Sequence, residues 1–370
     1  MNDRLLKKAL VMISTIGLLF ASVACSSTTT TPAAQEGAGT LGKDFAEILE
    51  RAKQEGTVQW WGYPPYEHQM VELEKAFNKR FNSNIKIEQL SIHNNEMGSR
   101  LAAEKNSGKH SADTVYGSEN SFAPWVKEEF LQKVDWAALF GKDLPGVNEA
   151  AVNILTEFKG IGLEYRHLVY GIAYNTKLIS RDELPKKWEE VADPKWKGQV
   201  AVDPSLVALV RLGKVIGEEK VLDMAKKIIA NKPIFGVNSP GTMKKVVTGE
   251  AKLGLITVGG ILDEQQAGAP INFIYPEPLA SIASQVIGIP IGAPNPNAGA
   301  LFSAWLTSNE GMEIQAKWGV DRATVTAPGM DGDYLRKHNL ANPPRLTTLE
   351  ELKAEEQLRK KLIELAKTKK

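Results

Sequence analysis

The 370-residue sequence holds one cysteine, Cys25, and five histidines. A lone thiol excludes an intrachain disulfide framework and a thiolate metal site. Hydrolase signatures are missing as well: there is no G-x-S-x-G elbow, no H-E-x-x-H pair and no cysteine placed as a nucleophile. The apolar run Ala9 to Ala21 falls short of the roughly 20 residues a membrane-spanning helix needs. It follows Arg4, Lys7 and Lys8, which is the form of an export signal. Removing residues 1–24 takes away those three bases and one acid, Asp3, and brings the formal net charge from +1 to −1. A near-neutral domain carries no electrostatic footprint for nucleic acid, and that class is dropped.

What remains is ordinary globular material, 43% hydrophobic and 24% charged, long enough for about two domains. Cys25 closes the stretch ASVAC and precedes SSTTTTPAAQEGAGT. This junction resembles the lipobox of bacterial lipoproteins, with Ser22 standing where that pattern usually has Leu. The resemblance implies cleavage before Cys25, acylation of its thiol and a protein anchored to a membrane through its N-terminal lipid, since two acyl chains suffice for stable anchoring. An ordinary secretory signal cut near Ala24 is the alternative. Residues 25–42 then read as the lipidated Cys and a flexible tether, on the periplasmic or extracellular face.

From Lys43 the chain alternates strands and helices. Asp44 and Glu47 form a capping-box pattern before FAEILERAKQE, and Gly56 stops that helix. VQWWGYPPYEHQM then reads as a strand ending at Gly62, a Pro-stiffened loop and a helix from Pro65 to about Asn82. NIKIEQLSI, ADTVYG and, further on, AKLGLITVGG and APINFIYPEP read as strands with helices between them. This grammar predicts an α/β fold of parallel sheets covered by helices, in which ligands sit beyond the carboxyl ends of the strands. The charged tail, residues 346–370, reads as a surface helix packed on the body.

At WEEVADPKWKGQVAVDPS, Trp188 to Ser205, the sequence resembles the solute-binding proteins of ABC importers, in the branch of ferric-iron, thiamine, spermidine and aminoethylphosphonate binders. GIAYNTK, VVTGEAKLGL and the run from Ile287 to Gly319 follow in that family's order. The resemblance implies a two-lobed type II periplasmic-binding-protein fold. Each lobe would be a mixed, mainly parallel sheet flanked by helices, joined by a two-strand hinge that closes on the ligand. It places residues 43–167 plus 279–345 in a discontinuous first lobe and 168–278 in the second. It also implies a membrane permease as partner and a monomer that is not an enzyme.

Candidate ligand contacts are the loops that open helices, where free N–H groups and the helix dipole favour anions or polar oxygens. These are Tyr63 and Tyr66; His93, Asn94 and Asn95; Ser118, Glu119 and Asn120; Ser205; and Ser239 and Thr242. Thr257 and Tyr275 join them at the ends of second-lobe strands. Ser and Asn at helix starts are more often caps than ligand contacts, and His93 faces either solvent or ligand. Arg100 and Arg166 could meet a ligand carboxylate or phosphate, but pairing with nearby Glu residues is the expectation. Ferric iron would need the adjacent Tyr pair of the family's iron binders, but LITVGG offers Thr257 to Gly260 instead. The expectation is therefore a small polar organic solute, with a carboxylate or phosph(on)ate among the possible groups, and no metal or cofactor. A ferric-iron carrier is the alternative, and a secreted hydrolase or a ligand-sensing surface protein are readings from other classes.

Overall fold

The computed structural model describes residues 39–62, 67–320 and 322–367. The export-signal and lipidation readings, Cys25 included, and the loop residues Tyr63 and Tyr66 lie outside the described residues. Among the described residues, ten strands form two sheets of five. The first has the order β2-β1-β3-β10-β4, built from β1 (Thr57–Gly62), β2 (Lys86–Ser91), β3 (Thr114–Ser118), β4 (Gly162–Leu168) and β10 (Ala283–Gly288). The second has the order β7-β6-β8-β5-β9, from β5 (Tyr170–Asn175), β6 (Val200–Val202), β7 (Ile234–Phe235), β8 (Leu253–Thr257) and β9 (Ile271–Ile274). In each sheet one strand runs against the other four: β10 is antiparallel to β3 and β4, and β5 to β8 and β9. This is the α/β, two-lobed periplasmic-binding-protein architecture.

Local chemistry accounts for the elements. Asp44 caps the helix Phe45–Glu55 by accepting the Glu47 N–H, while Glu47 accepts the N–H of Lys43 rather than of the cap itself. Gly56 ends the helix at φ 69°, a left-handed conformation that costs glycine nothing. The helix Pro296–Thr307 departs from the sequence reading. The spacing of Leu301, Phe302, Trp305 and Leu306 suits a single apolar face, yet every residue of the helix is buried. It lies against the helix Phe45–Glu55 on one side and the first sheet on the other, and Ser303 and Thr307 return their hydroxyls to carbonyls four residues back.

The chain passes between the sheets twice, at Leu168–Tyr170 and between Ile274 and Ala283. The first crossing is held by buried polar groups. Glu164, on β4, has no exposed surface, and its Oε1 accepts from Ser284 Oγ at 3.0 Å and Arg345 Nη1 at 2.8 Å. The C-terminal helix Leu349–Lys367 is more than a surface element. Leu349 and Leu352 pack with Phe122, Trp125 and Phe158 beneath the first sheet, and Leu358, Leu362 and Ala366 pack into the core of the second.

Candidate functional site

The parallel strands of each sheet bring their carboxyl ends to one edge, where the candidate loops gather. The last residue of β1, Gly62, stands where a side chain would not fit: a Cβ there would lie 2.1 Å from the Tyr116 ring. His93 caps the helix Asn94–Ser107 through its carbonyl and leaves its imidazole exposed. Asn94 is half-buried, and its Oδ1 approaches the backbone at Gly117. Ser118 ends β3 and caps the helix Glu119–Lys127, accepting the Ser121 N–H at 3.4 Å, and Asn120 is half-buried in the first turn.

Across the first sheet, Ser118, Gln285 and Arg166 occupy one row of paired residues. Arg166 therefore stands at the level where β3 ends, two strands away. Its guanidinium lies 5.5 Å from the Tyr116 ring centre and 5.7 Å from that of Tyr165, and Nη2 donates to the Tyr116 hydroxyl at 3.4 Å. The expected pairing with a nearby Glu does not occur. Among the described residues no carboxylate forms an ion pair with Arg166, and its buried Nε has no partner. Arg100 likewise packs over Trp61, at 4.3 Å, and among the described residues it forms no ion pair with a Glu.

In the second sheet, Asp203 follows β6 and its Oδ1 accepts both the N–H and the hydroxyl of Ser205, which turns the chain into Leu206 at φ 49°. Asn238 caps the helix Ser239–Val247 by accepting the Gly241 N–H at 2.8 Å. Ser239 Oγ and Thr257 Oγ1 lie 3.3 Å apart, so these two hydroxyls share one small half-buried patch. Beyond them Gly260 opens the next helix at φ 84°, and the carbonyl of Gly319, which follows the helix Asn309–Ala316, lies close to Gly259.

Two expected contacts are placed elsewhere. Thr242 is fully buried with its hydroxyl donated to the Asn238 carbonyl, because Gly236 and Gly254 leave room only for a side chain folded into the core. Tyr275 gives its hydroxyl to Asp331 and packs against Tyr334 with the rings tilted by 43° and their centres 4.2 Å apart, in the wall of a hollow of 720 Å³ at the second crossing.

Glu119 is also differently engaged from the expectation. Its carboxylate is 2% exposed and lies 3.3 Å from Arg211 Nη1, a residue following β6 in the second half of the chain. Burial pushes Glu119 up to about 7 against the pull of the guanidinium. Arg211 carries no sequence signal of its role: it sits in the apolar run LVALVRLG, where a buried cation is least expected. Among the described residues no three His, Cys, Asp or Glu side chains gather as metal ligands.

Two five-stranded sheets linked by two crossings, with helix-opening loops facing one edge, define a solute-binding protein of the periplasmic-binding type. Residues 64–313 match the family model described as bacterial extracellular solute-binding protein, and the chain belongs to that family. It is 26% identical over 292 residues to an Fe(3+)-binding periplasmic protein of Serratia marcescens, spanning 75% of this chain and 78% of that one. Another curated relative is matched over only 46% of its own length. The fold is similar to iron-bound HitA from Pseudomonas aeruginosa, with TM-score 0.63, 18% identity and coverage of 84% and 98% of the two chains. It is similar too to the periplasmic binding protein AfuA from Actinobacillus pleuropneumoniae with fructose-6-phosphate bound, with TM-score 0.54, 21% identity and coverage of 74% and 87%. The family is one of solute-binding receptors that serve ABC importers. No helix among the described residues is long and apolar enough to cross a membrane.

Proposed function

We propose that this receptor captures a small polar organic solute bearing a carboxylate, phosphate or phosphonate, and delivers it to a membrane permease after the lobes, 43–167 plus 279–345 and 168–278, close around it. The supporting observation is Arg166, a half-buried guanidinium at the strand-end edge without a carboxylate partner among the described residues. A desolvated cation left unpaired is costly, and a planar fork that already rests on two tyrosine rings suits a bidentate oxyanion. Ser118, Ser239 and Thr257 add hydroxyls for the polar remainder of such a solute. AfuA's sugar phosphate is an anion of the same chemical kind. The protein acts as a monomer held to the membrane by lipid on Cys25.

Ferric iron is the second reading, favoured by the iron named for the Serratia relative and for HitA. Against it stands Glu119, whose carboxylate is taken by Arg211. Thermal unfolding with a panel of carboxylates, phosphates and phosphonates tests the proposal. At a thousandfold excess over Kd a true solute adds about 4 kcal/mol, and Arg166→Gln loses that gain. A panel without effect, together with a visible phenolate-to-iron band on adding ferric citrate, contradicts it.

A further inference from the structure

The hollow of 720 Å³ at the second crossing lies beside β9, and an adjoining one of 610 Å³ shares Lys187, Glu277, Tyr334 and His338 with it. Both are of a size that takes a small molecule. β9 is the last strand of its sheet and pairs with β5 alone, and β5 separates it from β8, whose end carries Thr257. The hollows therefore stand apart from the patch of Ser239 and Thr257, and Arg166 lines neither of them. One wall, from Tyr334 to Pro344, follows residue 313, where the family match ends.

A row of rings crosses this surface. Phe273, Tyr275, Tyr334 and His338 follow one another with centres 5.2, 4.2 and 4.2 Å apart, and the last two planes differ by 27°. His338 ends the row and is exposed; among the described residues no further ring covers it. The row is held from behind. Tyr275 gives its hydroxyl to Asp331, Leu335 is buried, and Arg336 Nη1 donates to the carbonyls of Val325 and Ala327 at 2.8 Å, which fixes the helix Met330–Lys337. The facing segment is fixed as well: the Glu277 N–H donates to the Lys186 carbonyl at 2.9 Å, and Trp188 Nε1 to that of Pro278 at 3.0 Å. A platform ordered in advance spares a ligand the cost of ordering it.

Charge around the two hollows cancels: four bases and four acids line them, Lys187, Lys337, Asp182 and Glu277 among these. Among the described residues these eight form no ion pair with one another, although Arg336 and Asp333 beside them do. A neutral rim of this kind selects neither an anion nor a cation. It offers donors and acceptors together, and a hydroxyl, which both gives and takes a hydrogen bond, satisfies either. The rings ask for a flat face of C–H groups, whose partial positive charge meets the negative face of an aromatic ring. A sugar ring has both. We propose that the two hollows form one carbohydrate-binding groove, in which a short uncharged oligosaccharide lays a pyranose face on Tyr334 and His338 and spreads its hydroxyls over the mixed charges, with Lys187 and Glu277 where the hollows join. The groove is a second ligand site, separate from the oxyanion site at Arg166.

Saturation-transfer NMR of the purified protein with maltotriose, cellotriose and triacetylchitotriose tests the groove. The parent is expected to bind at least one of them at millimolar concentration, with saturation of aromatic protons passing to the C–H protons of the sugar. His338→Ala and Lys187→Ala change exposed positions and leave the core untouched. Each is expected to lower the affinity about tenfold, one by removing a ring face and the other a charged donor. Arg166→Gln, which removes the oxyanion site, is expected to bind the same sugar as the parent does. Absence of transfer to all three sugars overturns the groove, as does a sugar that both groove variants hold at the parent's affinity. A sugar lost from Arg166→Gln belongs to the strand-end site and overturns it too.

Discussion

Arg345 reaches from the segment before the C-terminal helix to place Nη1 2.8 Å from Oε1 of Glu164, a carboxylate without exposed surface on β4. Burial drives the Glu164 carboxyl up, but the contact with the His167 ring and the charge of Arg345 outweigh it and hold the group below its usual range. Removing one partner of such a pair strands the other. Arg345→Met is expected to cost about 3 kcal/mol in urea unfolding. Adding Glu164→Gln to it is expected to cost less than the two single losses together, since the pair acts as a unit.

His167 and Glu119 give opposing pH dependences. Burial holds the His167 imidazole below 6.5, and its Nδ1 accepts the Ala323 N–H, so the folded protein keeps the ring neutral. As pH falls below 6.5 the unfolded chain takes up that proton first, and stability drops. Glu119 does the reverse: its contribution is full below 4.5 and is lost as pH rises through about 7. Unfolding free energies measured between those limits should therefore fall more steeply toward acid in Glu119→Gln and more gently in His167→Gln, compared with the parent.

Gly62→Ala tests the packing of β1 against Tyr116. A methyl 2.1 Å from the Tyr116 ring forces that buried ring to move, at a cost of about 1–3 kcal/mol. Because Tyr116 supports the Arg166 guanidinium, the same substitution is expected to weaken solute binding beyond what the unfolding loss explains. Equal affinity in a calorimetric titration would show that the ring does not position the arginine.

Cys25→Ser tests the anchor. Membrane fractions of cells producing the parent should retain the protein, and those producing the variant should release it on lysis. Retention of the variant would show that no acyl chain on Cys25 is needed.

The fold was legible because strand and helix periods alternate plainly and the stops are explicit, as at Asp44, Gly56, Gly108 and Asn238. β10 was harder. Its antiparallel course between β3 and β4 depends on partners more than a hundred residues away, which no local pattern reports. Helix caps at Ser118, His93 and Asn238 could be read from spacing, but spacing cannot show where a side chain goes after capping. That is why Thr242, at a helix start, proved to be core, and Glu119 proved to face a cation. Arg166 was misjudged for the opposite reason: several glutamates lie near it in sequence, yet its strand carries it to the level where β3 ends while Glu164 turns to Arg345.

The most direct test of the account is native mass spectrometry of the purified protein with the oxyanion panel, for the parent and for Arg166→Gln. The account predicts one small organic anion held by the parent and lost from the variant. A parent that holds no panel member, or a variant that holds the same anion equally well, would contradict it.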